Sequence, residues 1–320
     1  MKVLVIGGAG YIGSHVVLDL IQKGHEVTVF DNLSTGYKTN ISADIPFVQG
    51  DILDAALLEK VMTGQEAVIH LAAKKAVGES MKDPCLYAEN NLTGTINVLN
   101  AMQKKGVHYF IFSSSAAVYG IPQTDVLTET SPVNPINFYG FTKLEIERLL
   151  DWYSRLTDIC FVALRYFNAV GYDLEGRIRG QERDCQNLFP IVMETLIGKR
   201  ESMSVFGNNY PTPDGTCIRD FIHVTDLADA HTRSLDYLVR TGKSEIFNLG
   251  TGKGISVLEI LKAVEEITGQ KVNWSFAPPR PGDPAILRAS SQKAHDLLGW
   301  LPLHSDVQTI VQSTWQIYKP

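Results

Sequence analysis

The sequence predicts an α/β protein: a doubly wound parallel sheet with a smaller, interleaved C-terminal substrate domain. Three observations carry this. Short β-branched runs alternate with longer amphipathic stretches from the first residues on, the texture of successive βα units around a buried parallel sheet. A glycine-rich turn joins the first strand run to the first helical stretch. After about residue 168 the texture changes, with Gly, Pro and Asn frequent between Asn168 and Gly215 and the helical segments shorter and further apart.

The elements follow in order. Val3 to Ile6 reads as the first strand. Ile12, Val16 and Leu20 recur every four residues and mark the buried stripe of the first helix, and Val27 to Phe30 supply the second strand. Further strands are predicted at Phe47-Val48, Ala67 to His70, Tyr109 to Phe112 and Phe161 to Leu164. Tyr139 to Leu150 carries Leu144, Glu145, Glu147 and Leu149 with no Gly or Pro beyond Gly140, and reads as a helix. Helical periodicity returns at Val224 to Leu238 and a strand at Ile246-Phe247, so the chain is expected to rejoin the first domain before finishing in the second. The organisation predicted is a first domain at 1–168, with returning segments near 216–250, and a substrate domain at 169–320 interleaved with it.

At 320 residues and 44% hydrophobic, the chain can bury a full core without a partner. Its 29 basic and 35 acidic residues leave a net charge of -6, and no Lys/Arg run suggests a track for nucleic acid. The apolar run Val3 to Ile6 is too short for a signal-peptide core, and no stretch approaches the roughly eighteen apolar residues of a membrane span. A cytoplasmic protein is expected. Cys85, Cys160, Cys185 and Cys217 are scattered and read as free thiols, and the eight histidines form no HxxxH or HxH cluster, so no metal is predicted.

Gly7-Gly8-Ala9-Gly10-Tyr11-Ile12-Gly13 lies between strand and helix, the context of a Rossmann-like dinucleotide fingerprint. Its glycines let the backbone approach a pyrophosphate, whose charge meets the helix N-terminal N–H groups. Asp31, at the end of the second strand, can accept both ribose hydroxyls and would repel a 2′-phosphate, which favours NAD over NADP. Gly50-Asp51-Ile52 after the third strand fits an adenine wall, although Asp51 reads equally well as a turn or cap residue.

Tyr139 and Lys143 are four apart on a helix and therefore share a face. That spacing alone is common, and fits an interfacial aromatic beside a surface charge just as well. The fingerprint upstream and the run Ser113 to Gly120 just after a strand give it weight. A strand-end serine reaches into the crevice where doubly wound folds hold ligands, so Ser115 is placed to meet Tyr139, while Ser113 and Ser114 individually read as capping hydroxyls.

GGAGYIG, FSSSAAVYG, YGFTK and RYFNAVG, with LAAKKAVGES (71–80), ENNLTGT (89–95), VFGNNYPTPDGTCIRDFIHVTDLADAH (205–231) and NLGTG (248–252), together resemble the extended short-chain dehydrogenase/reductase family of NAD-dependent epimerases and dehydratases. The resemblance spans nearly the whole chain. It implies an NAD site made by Gly7, Gly10, Tyr11, Ile12, Gly13, Asp31, Asn32, Asp51, Ile52, Leu71, Ala72, Ala73, Lys75, Asn90, Ser113, Tyr139, Lys143 and Phe167. It implies a UDP-hexose site made by Lys75, Ser115, Tyr139, Asn168, Asn187, Leu188, Phe206, Arg219, Arg280 and Asp283, with Tyr139, Lys143 and Ser115 catalytic. The chemistry suits those roles: Arg219 and Arg280 offer forks for a diphosphate, Phe206 a plate for uracil and Asp283 an acceptor for ribose hydroxyls, although Arg219 next to Asp220 also reads as an ion pair.

The activity implied is the interconversion of UDP-glucose and UDP-galactose in galactose metabolism: oxidation at C4, turning of the 4-keto sugar, and hydride return. A tyrosine of ordinary pKa near ~10 must fall by about three to act as base near neutrality, and Lys143 with the positive nicotinamide are the expected sources. Dehydration is disfavoured, because Ala116, Ala117 and Val118 stand where that chemistry needs acids. Intact Ser115, Tyr139 and Lys143 argue against a non-catalytic nucleotide-sugar sensor. An epimerase of another UDP-sugar, an N-acetylhexosamine or a uronic acid, stays open; Leu287 falls where glucose-restricted relatives place a bulky Tyr, so it leaves some room for an N-acetyl group. The segment 179–186 departs from the family pattern, and the loop from Asn32 to Asn40 is short. Relatives pair through two long helices, which makes Leu86 to Met102 and Leu144 to Trp152 candidates for a homodimer interface.

Overall fold

The computed structural model describes residues 1–182, 187–280 and 283–319; Cys185 and the end of the unusual 179–186 segment lie outside the described residues. Among the described residues, seven parallel strands form the main sheet in the order Glu245–Leu249, Cys160–Tyr166, Tyr109–Ser115, Ala67–His70, Lys2–Ile6, Glu26–Asp31, Phe47–Gln49. Lys2–Ile6 pairs with Glu26–Asp31 on one side and Ala67–His70 on the other, so the winding reverses at the first strand. Ligands of doubly wound sheets sit at that point, beyond the strands' carboxyl ends.

Both faces of the sheet are covered, which is why the central stretches of its strands are mostly apolar. On one face, Val16, Val17 and Leu20 of helix Tyr11–Gln22 pack with Leu227, Leu235 and Leu238 of helix Val224–Thr241. On the other, Leu58, Val98, Met102, Ile146 and Leu150 cover Leu4, Ile6, Phe110 and Phe112. A separate core holds the second lobe, where Phe189, Val192, Val205, Ile260, Val264 and Val311 meet.

The chain crosses between these cores repeatedly. Val224–Thr241 and Glu245–Leu249 return to the main sheet, the latter as its edge strand beside Cys160–Tyr166. After Val257–Thr268 in the second lobe comes a further return that hydrophobic periodicity does not reveal: Ala294 and Leu298 of helix Gln292–Leu298 join the first core with Trp300, whose indole donates to the Asp226 carbonyl at 2.8 Å. Helix Val307–Tyr318 then ends the chain's path in the second lobe.

Most elements run a residue or more beyond their predicted bounds, and two of these extensions bear on the site. The strand from Tyr109 continues through the serines to Ser115, because Ser113, Ser114 and Ser115 pair with Leu164, Arg165 and Tyr166 of the neighbouring strand. That ladder outweighs the loop preference of serine. The helix runs Phe138–Leu156, opened by Asn137, whose side chain accepts from Gly140 N, and it continues past Leu150 because no breaker stands before Thr157.

Candidate active site

A cleft runs along the carboxyl ends of the strands, walled by Ile6, Asp31, Leu71, Ser113 and Tyr166. Every residue that the sequence assigns to the cofactor lines it except Asp51 and Phe167. Gly50 and Ile52 are on the wall, whereas the Asp51 carboxylate accepts from Asn32 Nδ2 at 2.8 Å and from Leu53 N–H at 2.9 Å, a turn-forming role. Phe167 packs instead with Val118, Tyr119, Leu127 and Leu144.

The glycine turn fits a pyrophosphate. Gly7 has φ 84°, and a Cβ there would lie 2.6 Å from Ala72 N; a Cβ on Gly13 would lie 2.1 Å from the Gly7 carbonyl. Helix Tyr11–Gln22 begins at this turn with no capping side chain and no acid in its first turn, which leaves its positive end for an anion. Asp31 is buried at its strand end, accepting from Ala9 N at 2.9 Å and Leu33 N at 2.7 Å. Burial raises its pKa, and those two amides pull it back. An acid fixed here suits a ribose and opposes a phosphate, so the residues fit NAD.

At the other end of the cleft, Tyr139 stands in the first turn of its helix with its N–H donating to Ser80 Oγ at 3.1 Å. The Ser115 side chain stands close enough to the phenol to pull its pKa down. One helical turn on, Lys143 is buried; its ammonium donates to the Ser113 carbonyl at 2.7 Å and lies 4.8 Å from the Phe112 ring centre and 5.8 Å from that of Tyr139. Burial lowers Lys143 to about 7, against the pull of Glu147. Burial also raises Tyr139, opposed by the Ser115 side chain and the charge of Lys75. The protein alone therefore moves the tyrosine away from the depression that the chemistry requires.

The cleft also has walls that the sequence reading lacks. Tyr166 hydrogen-bonds Ser113 Oγ and faces the cleft, its only sequence signal being its place just beyond the predicted strand Phe161 to Leu164. Tyr37, Asn40 and the stretch 180–182 close another side: Gly180 N donates to Asn40 Oδ1 at 2.9 Å, and Glu182 pairs with Lys75 across the opening.

Of the residues assigned to the substrate, Lys75 and Tyr139 line this cleft and Ser115 stands beside Tyr139, while the others lie apart from it. Arg219 donates to Asp283 Oδ1 at 2.9 Å, not to its neighbour Asp220. Asp220 is fully buried and accepts from Thr251, Gly252 and Ala289. The Arg280 guanidinium stacks 3.9 Å from the centre of the Phe206 ring. Asn168 Nδ2 donates to the Asp220 carbonyl at 2.9 Å. Asn187 opens helix Leu188–Leu196 without capping it and lines a small hollow shared with Tyr11 and Glu182. Leu188 packs on the second core. Among the described residues, no three His, Cys, Asp or Glu side chains group to hold a metal, and no helix is long and apolar enough to cross a membrane.

Residues 3–250 match the NAD dependent epimerase/dehydratase family. The chain is 45% identical over 321 residues to the UDP-glucose 4-epimerase of Halalkalibacterium halodurans, covering all of this chain and 96% of that one. Its fold superposes on UDP-glucose 4-epimerase from Brucella ovis in complex with NAD with a TM-score of 0.96, at 42% identity, covering 99% of this chain and 98% of that one. The enzyme from Bifidobacterium longum in complex with NAD+ and UDP gives 0.92 at 38% identity, covering 100% and 99%. The three relatives named above, each matched nearly from end to end, are UDP-glucose 4-epimerases, and the chain belongs to the NAD dependent epimerase/dehydratase family.

Proposed function

We propose that this protein interconverts UDP-glucose and UDP-galactose with a retained NAD. The observation that carries it is the convergence of Ser115, Tyr139 and Lys143 at one end of a cleft whose other end is the Gly7–Gly13 turn and Asp31. Relatives alike over their whole length support the substrate.

Bound in the cleft, NAD would supply reversible hydride chemistry. Gly7, Gly10 and Gly13 with the helix start would hold its pyrophosphate and Asp31 its ribose, with Lys143 in the same cleft wall. Tyr139 Oη takes the proton of the sugar 4-hydroxyl and returns it to the opposite face, while Ser115 hydrogen-bonds the oxygen at C4 as it changes from hydroxyl to ketone and back. Lys143, charged, stabilises the phenolate. Arg219 and Arg280 grip the diphosphate, Phe206 stacks on the uracil, and Asp283 meets the nucleotide ribose once the substrate takes over its bond from Arg219. Strong contacts thus fall on the nucleotide and few on the sugar, which leaves the sugar free to turn.

The protein works as a cytoplasmic homodimer in this reading. Phe141, Trp152 and Leu156 stand exposed on the helix Phe138–Leu156, and Cys85, Cys160 and Cys217 are free thiols. The test of function is a coupled assay on UDP-glucose with no added reductant. Formation of UDP-galactose is expected, and its absence from protein that carries NAD overturns the reading.

A further inference from the structure

The face of helix Phe138–Leu156 that carries Tyr139 and Lys143 continues one turn further to Glu147, four residues on and 4% exposed. Three consecutive serines of the adjoining strand each meet one of these three turns. Ser115 stands beside the Tyr139 phenol, the Ser113 carbonyl accepts from Lys143, and Ser114 Oγ donates to Glu147 Oε1 at 2.5 Å. Arg165, opposite Ser114 in the ladder, clamps the same carboxylate with Nε at 2.9 Å and a terminal nitrogen at 2.6 Å. Its remaining nitrogen donates to Tyr119 Oη at 2.9 Å, and Tyr119 donates to Asn248 Oδ1 at 2.6 Å.

A buried ion pair is a poor stabilising device, because an apolar pair of like volume often gives equal or greater stability. Here the pair is fully satisfied and stands directly behind the lysine of the site. We propose that Glu147 is a positioning residue for the reaction: its carboxylate, fixed by Ser114 and Arg165, acts through Lys143 to keep that ammonium charged beneath Tyr139. This rests on the reading of Tyr139 and Lys143 given above.

The surroundings favour it. Lys143 faces Tyr139 and Glu147 on its own helix, the Ser113 carbonyl and the Phe112 ring on one strand, and His70 on the next, while Arg165 and Tyr166 lie on the strand beyond and Lys75 acts on Tyr139 from across the cleft. His70, deeply buried, is held neutral, so it brings Lys143 neither charge nor repulsion near neutral pH. Glu147 is the group whose charge offsets the burial of Lys143.

The test is the pH profile of kcat for the NAD-loaded enzyme and its Glu147→Gln, Glu147→Asp and Glu147→Gln/Arg165→Met variants, with Tyr139→Phe as reference. Loss of the carboxylate favours neutral Lys143, so the profile of Glu147→Gln moves to lower pH by about one pH unit, with about tenfold less activity on the alkaline side. Glu147→Asp keeps the charge and returns the profile to within a few tenths of the original. Should Glu147→Gln fail to fold with Arg165 unpaired, the double variant decides, since it buries no lone charge and its profile moves in the same direction. A double-variant profile superposing on that of the unaltered enzyme overturns the proposal, as does Glu147→Asp shifting as far as Glu147→Gln. If Tyr139→Phe turns over normally, the reading of the site itself fails; if it is inactive and the Glu147 profiles do not move, only the role of Glu147 fails.

Discussion

The ammonium of Lys143 donates to the carbonyl of Ser113 at 2.7 Å, which ties the helix of the reacting tyrosine to the strand that presents Ser115. That bond joins the two elements that carry Tyr139 and Ser115, the groups proposed to meet the sugar. Its loss is expected to harm chemistry more than nucleotide binding. Lys143→Met should lower kcat by about a hundredfold to a thousandfold. Steady-state kinetics beside UDP-binding calorimetry check this, with the UDP affinity expected to change less than about threefold, since Arg219, Arg280 and Phe206 do not touch Lys143.

Asp31 should decide which dinucleotide is held. Asp31→Asn keeps the shape and can still accept one amide, but it loses the charge fixed by Ala9 and Leu33. Purified Asp31→Asn is expected to carry NAD at about a tenth of the occupancy of the unaltered protein or less, measured by assay of the dinucleotide released on denaturation. Unchanged occupancy contradicts the assignment.

Four buried histidines should make the fold acid-sensitive. Burial lowers His15 and His231 to about 4 and His70 and His223 to about 3. The unfolded chain protonates each near pH ~6.5, and the folded chain does not until well below that, so between these values the unfolded state binds more protons. Their contribution is fully present above about 6.5 and is lost as pH falls, at up to about 1.4 kcal/mol per pH unit for each histidine. Urea titrations from pH 7 to pH 4.5 are expected to show this slope. His231→Gln, which removes one such group from beside the Leu227 carbonyl, should make it shallower by up to one histidine's share.

Leu287 should govern the acceptance of larger sugars. It lies in register with Arg219 and packs on the cluster that includes Phe167. The protein is expected to turn over UDP-N-acetylglucosamine as well as UDP-glucose. Leu287→Tyr should lower the ratio of their kcat/KM values by about tenfold or more, since the added ring takes the room of an N-acetyl group. Parallel coupled assays check both statements.

What was legible in the sequence was mostly local. The Gly7–Gly13 turn, Asp31 and the Tyr139–Lys143 spacing are short-range patterns whose backbone consequences follow from nearby residues. The serine strand was not legible beyond Phe112, because its extension depends on pairing with Leu164 to Tyr166, about fifty residues away. The partner of Arg219 escaped for a similar reason. Adjacent residues on an extended backbone point to opposite faces, so Arg219 reaches Asp283 in a distant loop while Asp220 turns into the interior. Tyr166 and the 180–182 stretch share the cleft through tertiary folding alone, and no periodicity marks them.

The most direct test of the central claim follows the hydrogen at C4. UDP-glucose deuterated at C4 should yield UDP-galactose that keeps its deuterium at C4, with none passed to solvent or to NAD added in excess, as read by NMR and mass spectrometry. Loss of the label, or no UDP-galactose from NAD-loaded protein, contradicts hydride return within one closed site.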